Sequence, residues 1–288
     1  MDGGVSPSPA AESTRQPAVT AESIQPSGGG WTSRTPVNRV KVGFFSLSRR
    51  SPDGDDRSYL AWHQLDHMPE QYQLPGMVLG QRWVSTPACR AARAAGDDGW
   101  AEVEHVVCYL MGEPVDETID DFYALGRTLA ESGRFPHSLP AQYRGGLALV
   151  ETWAAPRVLV SDAVVPFRPH RGIYLIVEVH PEGVADESPA RPGSHGLFGH
   201  LAAVPGVAGA WRYASSPAIS RPRFSEGAVE MTVCYLDDDP ATVGKSMAPL
   251  LAEVSAARST RVALAAPFES MMTWDLDEPG DDAGISRP

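Results

Sequence analysis

The chain has only three cysteines in 288 residues, Cys89, Cys108 and Cys234. That is no disulfide framework, and their spacing matches no zinc motif. No apolar run approaches the length needed to span a bilayer. Positive charge is in deficit, with a net charge of −12. An acidic surface disfavours nucleic acid and anionic membranes as general partners, because both are polyanions. No Gly-x-Gly-x-x-Gly leads into a helix, no P-loop lysine motif occurs and no nucleophilic serine arrangement is found. No nucleotide cofactor is therefore implied, and no cofactor is expected. The N-terminus lacks a basic leader followed by an apolar block, so the expectation is a cytoplasmic protein without a secretory signal.

What is present fits a globular protein: 42% of residues are hydrophobic and 21% charged, enough chain for two small domains or one large one. Residues 1–38 are rich in Ser, Pro, Gly and Ala with little to bury, and 278–288 read the same way, so both are expected to be disordered tails. Between them the chain repeats itself. "PGMVLGQRWVSTPA" (Pro75 to Ala88) aligns without gaps to "PGVAGAWRYASSPA" (Pro205 to Ala218), which puts Trp83 opposite Tyr213. "VEHVVCYL" (Val103 to Leu110) aligns to "VEMTVCYL" (Val229 to Leu236), and Thr152-Trp153 to Thr273-Trp274. Three matched segments in one order indicate a module written twice.

Each copy opens on a strand-like run, "VKVGFFSLS" or "GIYLIVEVH". A helix, two strands, a second helix and a fourth strand follow. In "ETIDDFYALGRTLAES" the apolar stripe is Ile119, Phe122, Tyr123, Leu125 and Leu129. The order β-α-β-β-α-β is the ferredoxin-like arrangement, with both helices on one face of a four-stranded antiparallel sheet. The predicted fold is α+β: modules at 39–156 and 170–277, packed sheet to sheet as a pseudo-dimeric α/β barrel around a cavity. The linker, 157–169, is apolar and punctuated by prolines, with part of it expected as an extra edge strand.

Tyr59–Trp83 resembles the EthD-type dimeric α/β-barrel proteins. Their usual pattern is Tyr-Trp, a few residues, His-Ala-Pro, a short helical stretch and Leu-Pro-Gly-Leu-Arg-x-Tyr. Trp62, His67, Pro69, Leu74, Pro75, Gly76, Arg82 and Trp83 occupy comparable places. The likeness extends loosely over 39–156, while 170–277 match through the repeat. The chain departs from the pattern in being a tandem fusion, in having Gln81 between Gly80 and Arg82, and in an eroded second copy. The resemblance implies paired α/β modules acting on small hydrophobic or aromatic metabolites, some as cofactor-free decarboxylases, dehydratases, isomerases or oxygenases.

The candidate chemistry gathers around that stretch. A helix from about Arg57 to His67 is expected to break at Pro69, with Met68 extended. His67 would then sit at a helix C-terminus, where the dipole favours imidazolium by up to ~1 kcal/mol. Burial would act in the opposite direction. His67 reads as a general acid or base, or as a plain helix cap. His63 and His67 share a helical face, the geometry of a metal pair with His105 as third ligand. Gln64 stands where zinc peptidases carry glutamate, and no metal is assigned. Arg82 and Arg212 read either as an anion or enolate clamp or as structural partners of Glu104 and Glu230, the latter favoured because both copies keep both residues. Tyr109 could offer its hydroxyl as proton donor. Trp62, His63, Trp83 and His105 complete the expected substrate surface. Cys108 and Cys234 read as buried fillers.

Three functions follow. The leading one is a cofactor-independent lyase or isomerase that moves a proton through His67, with Tyr109 and Arg82 stabilising oxyanion character. The second is a non-catalytic small-molecule-binding accessory protein. The third is a haem-binding tandem barrel. The expected partner is a small hydrophobic or aromatic metabolite, with no nucleic acid and no membrane. The chain is expected to be a monomer with an internal pseudo-dimer, or a homodimer.

Overall fold

The computed structural model describes residues 1, 38–97, 99–180, 199–201, 203–216, 219, 228–256 and 261–271. Residues 2–37 and 272–288, with the Thr273-Trp274 match, lie outside them. In chain order the elements are β1 (Val40–Ser48), α1 (Asp56–Trp62), a π-helical stretch (His63–His67) and α2 (Met68–Gln71). They continue with β2 (Met77–Val84), α3 (Pro87–Ala91), β3 (Ala95–Gly96), β4 (His105–Gly112), α4 (Val115–Glu131) and β5 (Ala141–Ala154). A 3-10 turn (Asp162–Phe167) leads to β6 (Gly172–His180), β7 (Val207–Ala214), β8 (Ala228–Leu236), α5 (Pro240–Ala256) and β9 (Arg261–Ser270). Among the described residues no helix is long and apolar enough to cross a membrane.

Eight of the strands close an antiparallel barrel in the order β2-β4-β1-β5-β7-β8-β6-β9, with β9 returning to β2. β3 is a short addition beside β9. The first half therefore contributes β2-β4-β1-β5 and the second β7-β8-β6-β9. The expectation of two distinct sheets facing each other needs correction, because the halves join edge to edge. β5 pairs with β7 from Ala148–Ala214 to Ala154–Gly209. At the other junction β2 meets β9 only at Trp83–Ser270 and Val84–Glu269. One seam is long and the other short.

Among the described residues the space expected as a cavity between the sheets is occupied by side chains. Alternate residues of each strand point inward. Phe45, Leu47, Trp83, Cys108, Leu110, Tyr143, Leu147, Leu175, Trp211, Tyr213, Met231, Tyr235 and Phe268 form one buried cluster there. Each large side chain so buried contributes about 1.5–3 kcal/mol. The barrel interior is thus a packed core that both halves share. The linker closes one end of it. Instead of an edge strand, Asp162–Phe167 forms a 3-10 turn whose Val165 joins the core. Trp211 Nε1 donates to Asp162 O at 2.8 Å and Thr152 Oγ1 to Asp162 Oδ2 at 2.6 Å.

Helices cover the outer face. In the first half Met68 of α2 and Ile119 of α4 pack on Val42, Phe44, Val107, Tyr109 and Met111. Gly80 permits this approach, since a Cβ there would meet Met68 and Tyr109 atoms at 3.2 Å. In the second half Val243, Met247 and Leu251 of α5, with Leu201 and Val204, pack on Tyr174, Ile176, Ala210 and Cys234.

Candidate active site

The site is the layer between the first helical segment and the outer face of β2 and β4. Asp55 starts the helix by accepting from Ser58 N at 3.0 Å. Pro69 does not end it. The backbone widens into a π turn over His63–His67, in which Met68 N bonds His63 O. Met68 is helical, not extended, and Pro69 enters in the first turn of α2. π turns of this kind are frequent at functional sites. His67 therefore lies inside a continuous helical run, and the dipole argument for a protonated imidazole lapses.

Burial decides its charge instead. His67 is stacked on Trp62 with centroids 4.8 Å apart and lies 4.9 Å from the Phe135 ring. Burial, assisted by the charges of Arg144 and Arg82, pushes its pKa down to about 4. Gln71 Nε2 is 3.5 Å from His67 Nε2, and His67 Nδ1 has no partner. His63 is held well below the usual histidine range by burial, then by Arg82 and the neighbouring histidines. It shares a 3.3 Å hydrogen bond through Nε2 with the Tyr109 hydroxyl, and its Nδ1 is unpartnered. Burial raises the Tyr109 pKa, so that hydroxyl keeps its proton. Both imidazoles are neutral near pH 7. They are proton acceptors there, not the partly protonated acid that the helix terminus suggested.

Arg82 and His105 face the same layer. Arg82 Nη2 is 3.2 Å from His105 Nδ1, and its guanidinium lies over the Tyr59 ring at 4.7 Å. Arg82 Nε and Nη1 have no partner, although the residue is only 4% exposed. His105 Nε2 is 3.5 Å from Asp56 Oδ2. Burial opposes ionisation of Asp56, yet the adjacent His105 ring and hydrogen bonds from Ser51 N–H and Arg50 outweigh it and hold the carboxyl well below its usual range. The expected Arg82–Glu104 pair does not exist. Glu104 is taken by Arg90 at 2.7 Å and Arg93 at 3.5 Å. The expected Arg212–Glu230 pair does exist, at 3.1 Å, with Glu151 adding a second carboxylate at 3.3 Å.

Of the sequence candidates, His67, His63, Tyr109, Arg82, His105 and Trp62 are brought together. Trp83 is not among them. It points into the barrel, where Nε1 donates to His170 Nε2 at 3.1 Å. Asp56, Tyr59, Gln71 and Phe135 complete the layer and were missed. Asp56 could have been found from its place in the first turn of the helix. Among the described residues no group of three or more His, Cys, Asp or Glu side chains could hold a metal ion.

A cleft of about 440 Å³ opens at the edge of β2, where the short seam leaves room. Gln64, Met68 and Tyr72 wall it on the helix side, Gly80 to Trp83 on the strand and Pro166 to His170 on the linker. The Tyr72 hydroxyl accepts from Gly80 N at 3.1 Å and donates to Gly80 O at 3.3 Å, which satisfies the exposed strand edge.

No family model matches the chain, and no curated protein matches it. Among solved structures it is similar to an anthrone oxidase-like protein, at 12% identity and a TM-score of 0.39, over 81% of this chain and 92% of that one. It is similar to a provisionally named chlorite dismutase, at 12% identity and 0.49, over 82% and 97%. A variant of the chlorite dismutase of Candidatus Nitrospira defluvii follows at 10% identity and 0.43, over 83% and 94%.

Proposed function

We propose that the barrel is a fused pair of ferredoxin-like modules, related to the dimeric α/β barrels, that acts as a small-molecule enzyme. In this reading a hydrophobic or aromatic metabolite bearing an anionic group enters at the β2 cleft and sets its anion against Arg82. A neutral imidazole, His67 or His63, removes a proton from it, and the Arg82 charge stabilises the oxyanion or enolate that forms. Tyr109 supplies a protonated hydroxyl bonded to His63. The reaction is a decarboxylation, dehydration or isomerisation carried by the chain's own residues without a resident cofactor.

The observation that carries this reading is the state of Arg82. A buried guanidinium with two unpartnered nitrogens is costly unless something anionic meets it. Haem is the weaker reading on geometry, because the His67 ring is stacked on Trp62 and meets the edge-on Phe135 ring. Native mass spectrometry of freshly purified protein tests the proposal. Wild type is expected to retain an organic anion that Arg82→Gln lacks, and retention at the wild-type level by the variant overturns it. Once a substrate is known, full turnover by a protein with both His63→Ala and His67→Ala removes the two imidazoles from the mechanism.

A further inference from the structure

The register of the sheet explains why one arginine is free and the other is not. β2 pairs with β4 at Arg82–Val107 and Val84–His105. β7 pairs with β8 at Arg212–Thr232 and Ala214–Glu230. The position diagonal to the arginine, on the same outer face, is thus Glu230 in the second half and His105 in the first. Glu104, which the sequence match sets against Glu230, is one residue out of step and belongs to the other face of its strand.

We infer that His105 is the residue that keeps Arg82 available to an external anion, standing where a carboxylate would otherwise neutralise it, and that Asp56 holds His105 in the form that does so. The inference rests on the anion-binding reading of Arg82. Arginine only donates, so His105 Nδ1 accepts from Nη2 and the ring proton is on Nε2, facing Asp56. Burial pushes the His105 pKa down, against the partial opposition of Asp56, so the ring stays neutral beside the guanidinium. One nitrogen of Arg82 is pinned, its plane rests on Tyr59, and the other two nitrogens have no partner. A glutamate at the same place would bring its own negative charge. His105 is accordingly a positioning and specificity-determining residue, with no contact to substrate required.

The test is thermal denaturation of the full chain in rising sodium benzoate, with sodium chloride at equal ionic strength as control. A ligand that binds the native state raises Tm with concentration. Wild type is expected to respond, and Arg82→Gln is not. His105→Glu is expected to weaken the apparent benzoate affinity about tenfold or more, while melting cooperatively without ligand. His105→Asn, whose amide oxygen can replace Nδ1 as acceptor, should retain the response to within about threefold. A merely structural histidine would not give this split between two substitutions of the same site. If His105→Glu fails to fold, loss of response in a folded His105→Asp, with retention in the isosteric His105→Asn, carries the same meaning. A wild-type response from His105→Glu, or loss in His105→Asn, overturns the role of His105 while leaving Arg82 as the anion site. A response that survives in Arg82→Gln, or no response in wild type, removes the anion reading and this inference with it.

Discussion

Arg82 and Arg212 occupy matching places on the outer wall of one barrel, yet one meets an imidazole and the other two carboxylates. The layers around them differ in the same direction. In the first half Asp56, His63, His67, Gln71, Arg82 and His105 are all buried between helix and sheet. In the second half the cluster under α5 is apolar, from Trp153 and Tyr174 to Met247 and Leu251. Among the described residues the layer under the first helical segment and the layer under α5 thus follow different rules. The second gains stability by burying hydrocarbon and pairing its cation. The first gives some of that up by burying titratable groups, three of whose ring nitrogens and two of whose guanidinium nitrogens have no partner. Such a layer costs stability, which is why the proposed chemistry is placed there.

Substitutions that exchange the two rules sharpen the contrast. The largest effect is expected from Met247→Ala, which hollows the apolar layer and should cost about 2–5 kcal/mol in urea unfolding. Next comes pH. The His67 pKa is lowered to about 4 in the folded chain, against about 6.5 unfolded. Its contribution is therefore complete above pH ~6.5 and is lost as pH falls toward ~4, because the unfolded chain binds the extra proton. His67→Phe should flatten the acid side of the stability profile by on the order of 1–3 kcal/mol over that window. An unchanged slope would mean that His67 is already protonated in the folded protein.

Arg82→Met and Arg212→Met are expected to move stability in opposite directions. The first removes an uncompensated buried charge and should stabilise by about 1 kcal/mol, while the second strands Glu151 and Glu230 and should destabilise by about 1–2 kcal/mol. Equal losses in both would erase the distinction between the halves. The smallest effect is Tyr72→Phe, which frees the N–H and C=O of Gly80 at the solvent-facing edge. About 0.5–1 kcal/mol should be lost, accompanied by concentration-dependent association visible in light scattering.

The strands were legible because their hydrophobic runs are: "VKVGFFSLS" and "GIYLIVEVH" are β1 and β6 residue for residue. The helical stripe of α4 was equally plain, with Ile119 and Leu129 buried and Phe122 and Tyr123 packed against the core. Grouping of His63, His67, Arg82 and Tyr109 also came through. What did not come through depended on pairing across the sheet. "VCYL" recurs in letters, yet Cys108 and Tyr235 point into the barrel while Tyr109 and Cys234 point out. A similarity of letters carries no phase, and a slip of one residue exchanges the faces. The π turn escaped for another reason. A proline in a helical run signals a break, and only the tertiary packing of Trp62, His63 and His67 makes a widened turn the better solution. The filled interior, finally, depends on the summed volume of side chains from eight strands, which no local pattern reports.

The 3-10 stopper between the halves has a consequence for anyone who would take the molecule apart. With Val165 seated among the interior side chains and Asp162 bonded to Trp211 on one side and Thr152 on the other, the connector is a piece of the interior and not a tether. A cut at either end of 157–169 would leave one fragment carrying an apolar plug and the other an unstoppered mouth. Dissection, circular permutation or grafting of one half onto another scaffold must therefore treat those residues as belonging to both.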